Sequence, residues 1–290
     1  MSLSAMREVF ALVESKTTWN ALGAPQGADL DAEPRGAHLP EALGREGVAL
    51  VEGLLSPGRA ASMHACITAI SAQGLPAIFA YMLDAFWEPL DRLVPLVEAA
   101  LGPVDVLADL WGWHIAPEPG RAGWPPHRGV YDLVRGDDGR PGLVNVWIAS
   151  SSVTRATACM HVVPFARDPG YPDALSRRPF ETEGAVAYEV PAGTALLWDA
   201  NSIHWGGPVL PGATHARTSF SYTLRAKSLR TMDDFESIED FRALGHIARL
   251  DLIADQLLRY GHMDPDLSDA VVDWARTLVG LRKSRRVKMG

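Results

Sequence analysis

The chain has 290 residues, 47% of them hydrophobic and 21% charged, the proportions of a globular protein with a sizeable core. A net charge of -8 argues against a nucleic-acid partner. No apolar run reaches membrane-spanning length, since the richest, residues 67–83, is broken by Ser71, Gln73, Gly74 and Pro76. Two cysteines, Cys66 and Cys159, make no disulfide framework, and the opening MSLSAMREVF lacks the order of a signal peptide, so the expected compartment is the cytoplasm.

Taken in order, residues 4–15 read as a short amphipathic helix, followed by a Gly/Pro/Ala-rich linker to about residue 40. Residues 48–55 (VALVEGLL) read as a strand. Ser56-Pro57 then caps a helix that continues to about Ile70, with proline where its missing N–H costs nothing. Residues 76–101 extend the helical region, and Gly102-Pro103 stops it. From Val104 the pattern changes to strands. Residues 104–116 carry Trp111 and Trp113 on one face. Residues 127–134 and 143–148 flank the turn signal Gly136-Asp137-Asp138-Gly139, and 159–165, 185–190 and 194–198 continue the set. Residues 218–224 close it with Phe220, Tyr222 and Leu224 alternating against Ser219, Ser221 and Thr223. Residues 235–260 and 265–281 return to helical spacing, and the tail Arg282-Lys283-Ser284-Arg285-Arg286-Val287-Lys288 reads as a solvated basic end. The expectation is a single domain over residues 1–290: helices over residues 1–103, a core over 104–227 of about eight short strands, and C-terminal helices over 228–290. The fold class is mainly β with flanking helices, a double-stranded β-helix of the jelly-roll or cupin type.

Two stretches carry the chemistry. Gly123-Trp124-Pro125-Pro126-His127-Arg128-Gly129 sets His127 and Gly129 on one side of an extended chain, with Arg128 facing away. Asn201-Ser202-Ile203-His204-Trp205-Gly206-Gly207 supplies a second histidine. A histidine, a position two residues on and a distant histidine is the spacing of a facial non-haem iron site, except that Gly129 has no side chain to offer. Arg217 follows, on the polar face of its strand with Ser219 and Ser221, where a buried guanidinium needs a carboxylate or phosphate. Asn145 and Trp147 share a face and are candidate cofactor or substrate contacts. His114 is a candidate for the pocket wall. His38, His64, His161, His246 and His262 read as packing or surface residues. Arg121, Arg128, Arg155, Arg225 and Lys227 offer an anion a landing place but more often end in salt bridges.

Residues 45–227 resemble the phytanoyl-CoA dioxygenase family of Fe(II)/2-oxoglutarate oxygenases. The resemblance rests on Gly47 to Pro57, Trp124-Pro125-Pro126-His127-Arg128, Val146-Trp147-Ile148, Cys159-Met160-His161-Val162-Val163-Pro164, Pro191-Ala192-Gly193 and His204-Trp205-Gly206-Gly207 with Arg217. It implies His127 and His204 as iron ligands, Arg217 as the clamp on the distal carboxylate of 2-oxoglutarate, and O₂ and a small molecule as the other reactants. This sequence departs from the family at Thr157-Ala158, where Asn-Gly is usual, and at Gly129, where the metal carboxylate is expected. Relatives with alanine or glycine there are halogenases: chloride takes the place of the carboxylate, the charge of the centre is unchanged, and the halogen becomes transferable to a substrate radical. Other readings stand beside this one. They are a hydroxylase in which Asp132 or Asp199 reaches the metal, an introduced glycine, or a non-catalytic binding domain. The substrate is open between an amino acid, a nucleotide, an alkaloid and an acyl group on a carrier protein.

Overall fold

Alternation at period two decides how the strands of the computed structural model pack. The structure describes residues 11, 38–136, 138–229 and 236–289, with side chains given to residue 282. Its strands are β1 (Val48–Val51), β2 (Val104–Ile115), β3 (Leu143–Ala149), β4 (Met160–Val162), β5 (Val186–Tyr188), β6 (Ala195–Asp199), β7 (His204–Gly206) and β8 (Arg217–Ala226). They form an antiparallel sheet in the order β1-β6-β3-β8-β2 and a smaller one in the order β5-β4-β7. This is a mainly β architecture of the double-stranded β-helix type with flanking helices: α1 (Leu39–Glu46), α2 (Pro57–Ala72), α3 (Leu90–Leu101), α4 (His246–Tyr260) and α5 (Asp269–Met289).

One face of the large sheet meets the helices. Val144, Val146 and Ile148 of β3 and Phe220, Tyr222 and Leu224 of β8 join a core with Tyr81, Phe86 and Trp274. Burying a side chain such as Phe220 contributes about 1.5–3 kcal/mol, and the Tyr81 ring meets Phe220 and Tyr222 edge-on at 6.5 and 5.8 Å. The opposite face of the same sheet carries Trp147 and Ala149 of β3 and Leu196 and Trp198 of β6, packed against Met160 and Val162 of the small sheet. That second core fills one end of the space between the sheets. At the other end Asn145 of β3 and Ser221 and Thr223 of β8 point inward, and a cavity remains.

The helix-capping pattern at Ser56-Pro57 is realised: the Ser56 side chain accepts from the Arg59 N–H at 3.3 Å. Several boundaries differ from the sequence reading. Residues 76–101 are not one helix. Residues Ala77–Met82 and Asp84–Phe86 form 3₁₀ turns before α3, because all six side chains of Ala77–Met82 are buried, a demand no one-faced helix meets, and Pro89 forces a fresh start. Residues 127–134 are not a strand. His127 makes a lone bridge to His204, and the N–H groups of Gly129 and Val130 both donate to the Ala200 carbonyl. Two prolines upstream and Gly129 itself leave little to pair in a ladder. In the segment expected as helix from residue 235, helix begins only at His246, because residues around Ser237 bridge to Leu107 at the edge of β2. The strand expected over 159–165 stops at Val162 ahead of Pro164. The linker expected to residue 40 gives way to α1 with Pro40 in its first turn. The helix expected at residues 4–15 lies outside the described residues apart from Ala11. Among the described residues, no helix is long and apolar enough to cross a membrane.

Candidate active site

His204 opens β7, and His127 is stitched beside it by two backbone hydrogen bonds, N–H to C=O at 3.1 and 2.9 Å. The two rings lie 4.2 Å apart between centroids. In each ring Nδ1 faces a backbone carbonyl, that of Pro125 at 2.7 Å for His127 and that of Ser202 at 3.1 Å for His204. A carbonyl accepts only, so Nδ1 carries the proton and the Nε2 lone pair is free, the arrangement of metal-binding imidazoles. Burial holds both rings below the ordinary histidine range, His204 strongly and with added repulsion from His127, so both are neutral and able to ligate. The donor set fits a divalent first-row metal.

The third position is open. Gly129 does not sit in the left-handed region, so its backbone does not require glycine; an added Cβ would lie 3.2 Å from Asn145 Nδ2 and 3.3 Å from Ala200 Cβ and O. Among the described residues, no carboxylate joins the two histidines in its place. Asp132 is exposed, and Asp199 is wholly buried against Arg135 at 3.3 Å, accepts from the Asn201 N–H, and is pushed up to about 6 by burial. Among the described residues, no group of three His, Cys, Asp or Glu side chains gathers as a metal cage. Arg128 faces away, as the spacing predicts. It is buried, forms a two-pronged pair with Asp168 at 2.5 and 2.9 Å, and donates to the Leu175 and Asn201 carbonyls.

Arg217 is 1% exposed and, among the described residues, meets no carboxylate. Nη1 donates to the Ala158 carbonyl at 2.9 Å, the guanidinium lies 5.6 Å from the Trp147 ring centre, and Nε has no partner. Burial lowers its pKa to about 10, the mark of a cation held without its anion. This suits a small dicarboxylate entering from the cavity. Ala158, at the position where the resembled family has glycine, adopts a left-handed φ of 59°, so the departure retains the backbone turn that aims this carbonyl.

Above Arg217 two backbones nearly touch. A Cβ on Gly206 would lie 2.7 Å from the Gly123 Cα and 3.4 Å from Arg217 Nη1. Backbone cannot retreat as a side-chain tip can, so Gly206→Ala should push the Trp124 segment off β7, destabilise the protein by about 1–3 kcal/mol and weaken any ligand on Arg217. Thermal unfolding with and without 2-oxoglutarate reads both effects, and a variant like wild type in both would show that the close approach is incidental.

The cavity between the sheets has a volume of about 360 Å³. Trp124 anchors an aromatic wall, its ring 5.5 Å from Trp111, 5.4 Å from Trp113, 5.1 Å from Tyr260 and 5.8 Å from His127. Facing this wall are His127, Gly129, His204, Arg217 and a polar edge of Asp109, Asn145, Ser221 and Thr223, with His262 and Met263 contributed from the C-terminal region. The structure thus brings together five of the seven residues singled out from the sequence. Trp147 and Ser219 are fully buried and do not line the cavity; Trp147 lies instead alongside the guanidinium of Arg217. His114 belongs to a neighbouring cleft with Ser71, at 3.2 Å, rather than to this one. His161 is strand packing, stacked on Trp205 at 5.0 Å. His262, read as a packing or surface residue, reaches the cavity because the turn Gly261–Met263 folds α4's end over it. Arg121, Arg155, Arg225 and Lys227 end in ion pairs with Asp266, Glu189 and Asp105. Asp109 and Tyr260 are site residues that sequence reasoning misses.

The sequence profile of the phytanoyl-CoA dioxygenase (PhyH) family matches residues 82–214, a span that includes both histidines and Gly129 and stops just short of Arg217. No curated protein matches the chain. Solved structures do. The non-haem α-ketoglutarate-dependent epimerase SnoN from nogalamycin biosynthesis is 19% identical with a TM-score of 0.51, over 65% of this chain and 80% of that one. The nickel complex of the non-haem monooxygenase ThoJ is 17% identical with a TM-score of 0.54, over 87% and 100%. AviO1 from Streptomyces viridochromogenes Tue57 is 19% identical with a TM-score of 0.50, over 68% and 96%. At these identities the likeness is one of fold.

Proposed function

We propose that this chain, which carries a phytanoyl-CoA dioxygenase family domain over residues 82–214, is an Fe(II)- and 2-oxoglutarate-dependent halogenase acting on an unactivated C–H of a small metabolite. The observation that supports this most directly is the pairing of two ligation-ready histidines with a glycine that the backbone does not require, with no carboxylate among the described residues gathered beside them. Residues 1–290 act as one catalytic domain in this reading.

His127 and His204 would hold the iron, and Arg217 would pair with the distal carboxylate of 2-oxoglutarate, meeting the need that its buried, unpartnered Nε expresses. Iron bound there, with 2-oxoglutarate and O₂, supplies hydrogen abstraction from a C–H bond, and a halide in the position beside Gly129 supplies the atom returned to the substrate. The protein's own contribution is placement. The wall of Trp111, Trp113, Trp124 and Tyr260 gives an apolar substrate a rigid surface and excludes water, while the polar edge offers it one hydrogen-bonding end. SnoN and ThoJ, whose names carry epimerisation and monooxygenation, show that this fold is compatible with several outcomes, so the test must read the product.

Turnover with Fe(II), 2-oxoglutarate, O₂ and chloride against a metabolite extract should give a product bearing the isotope pattern of chlorine, shifted to that of bromine when bromide replaces chloride. A product heavier by one oxygen at saturating chloride would make the protein a hydroxylase. No Fe(II)-dependent succinate under any halide condition would make it a binding domain.

A further inference from the structure

We infer that the side-chain amide of Asn145 is the donor that holds the anion beside Gly129, and that Asp109 and Thr223 are positioning residues that decide which end of this amide faces it. The inference rests on the halogenase reading. Asn145 sits on β3 with its side chain directed between the sheets. Its Nδ2 is the nearest atom that a side chain at position 129 would meet, 3.2 Å from the ideal Cβ, and no acceptor among the described residues takes it. Its Oδ1 lies 2.9 Å from Thr223 Oγ1, which in turn lies 2.8 Å from Asp109 Oδ2; Tyr260 donates its hydroxyl to Asp109 Oδ1 at 2.7 Å. The relay Tyr260–Asp109–Thr223–Asn145 therefore ends at the vacant ligand position.

Counting protons along it fixes its polarity. Thr223 has one hydroxyl proton and two neighbours, so it donates to one and accepts from the other. With Asp109 as a neutral acid, Asp109 donates to Thr223, Thr223 donates to Asn145 Oδ1, and Nδ2 faces the vacant position as a donor. With Asp109 ionised, Thr223 donates to Asp109 and Asn145 must turn its Nδ2 to Thr223. Its carbonyl oxygen then faces the vacant position and repels an anion. Halide binding is thus linked to a proton on Asp109. Burial raises the pKa of this carboxyl, while the hydrogen bonds from Tyr260 and Thr223 and the nearby Arg259 oppose the rise; Tyr81 is the other titratable side chain coupled to it. Both tyrosines are held above their ordinary range, so neither competes for the transition.

The test uses the full chain loaded anaerobically with Fe(II) and 2-oxoglutarate, titrated with sodium chloride or bromide. The reading is the shift of the visible metal-to-ligand absorption band. Asn145→Leu should keep the band and weaken halide binding on the order of 10- to 100-fold, as loss of a hydrogen bond to a charged group does. In wild type, halide affinity should fall as pH rises through the Asp109 transition. In Asp109→Asn, where the new amide donates permanently to Thr223, affinity should be retained and become independent of pH. Thr223→Val, which leaves Asn145 in place but unties it, should weaken halide binding and remove the pH dependence even if Asn145→Leu fails to fold. Wild-type halide affinity in both Asn145→Leu and Thr223→Val overturns this inference alone. No halide response in wild type overturns the halogenase reading beneath it.

Discussion

Replacing Arg217 by methionine should raise the 2-oxoglutarate concentration needed for half-maximal turnover by about 30- to several-thousand-fold, the consequence of losing roughly 2–5 kcal/mol from a buried, charge-assisted contact. The same substitution should act in the opposite direction on the protein without ligands. Arg217 is 1% exposed, meets no carboxylate among the described residues and leaves Nε without a partner, so the free protein carries an uncompensated buried cation. Exchanging such a charge for an apolar side chain of similar reach stabilises a fold by about 1–4 kcal/mol in comparable cases. Arg217→Met should therefore melt higher than wild type on its own and gain little or nothing when metal and 2-oxoglutarate are added, whereas wild type should gain strongly by ligand linkage. Arg217→Lys keeps the charge and loses the planar fork, so it should fall between the two. An unchanged 2-oxoglutarate-induced shift in Arg217→Met would place the clamp on another residue.

Period-two alternation carries most of what is legible in the sequence. The β8 pattern of Phe220, Tyr222 and Leu224 against Ser219, Ser221 and Thr223 gives the sheet faces correctly, with the first set in the helical core and Ser221 and Thr223 at the cavity. Asp109 has the parity of Trp111 and Trp113 but is passed over in the sequence, where Asp105 and His114 also interrupt the apolar pattern of this strand. A bulge opposite Thr223, where the β2–β8 register shifts between Val106 and Leu110, breaks the pattern that would expose it. Ser219 shows the converse limit. Parity places it inward, but whether an inward residue lines the cavity or fills the packed end depends on how far the second core extends, and that is set by Trp147 and by Met160 and Val162 across the gap.

What the sequence does not show has identifiable causes. His262 and Tyr260 reach the site through the return of α4 over the open end of the barrel, a contact across the whole length of the core that no local pattern encodes. The segment after His127 reads as a strand because it and residues 143–148 flank the turn signal Gly136-Asp137-Asp138-Gly139. Its backbone groups are instead taken by the loop at residues 200–201, through the Ala200 carbonyl and the Asn201 side chain. That substitution of loop for ladder is also what leaves Gly129 at the rim of the cavity, in front of Asn145, rather than paired inside a sheet.

Gly129→Asp should abolish halogenation. The backbone at this position accepts an L-residue, so the substitution does not fail on conformation. Its Cβ would lie 3.2 Å from Asn145 Nδ2 and 3.3 Å from Ala200 Cβ and O, tight enough that these neighbours must give by a few tenths of an ångström. A relaxed carboxylate there would occupy the vacant position and take the free Asn145 N–H as its own hydrogen bond, displacing a halide both from the metal and from its donor. Gly129→Ala separates the two causes, because it introduces the same crowding with no oxygen to ligate. If crowding alone were at fault, both variants would lose chlorination; if ligation is what matters, Gly129→Ala should retain much of it while Gly129→Asp retains none. The second pattern is expected, since the relaxation needed is small and the alanine methyl carries no charge to compete with halide. Gly129→Asp should still consume 2-oxoglutarate, and its halide titration should show no change in the visible band. A Gly129→Asp protein that chlorinated its substrate at the wild-type rate would place the halide somewhere other than beside residue 129.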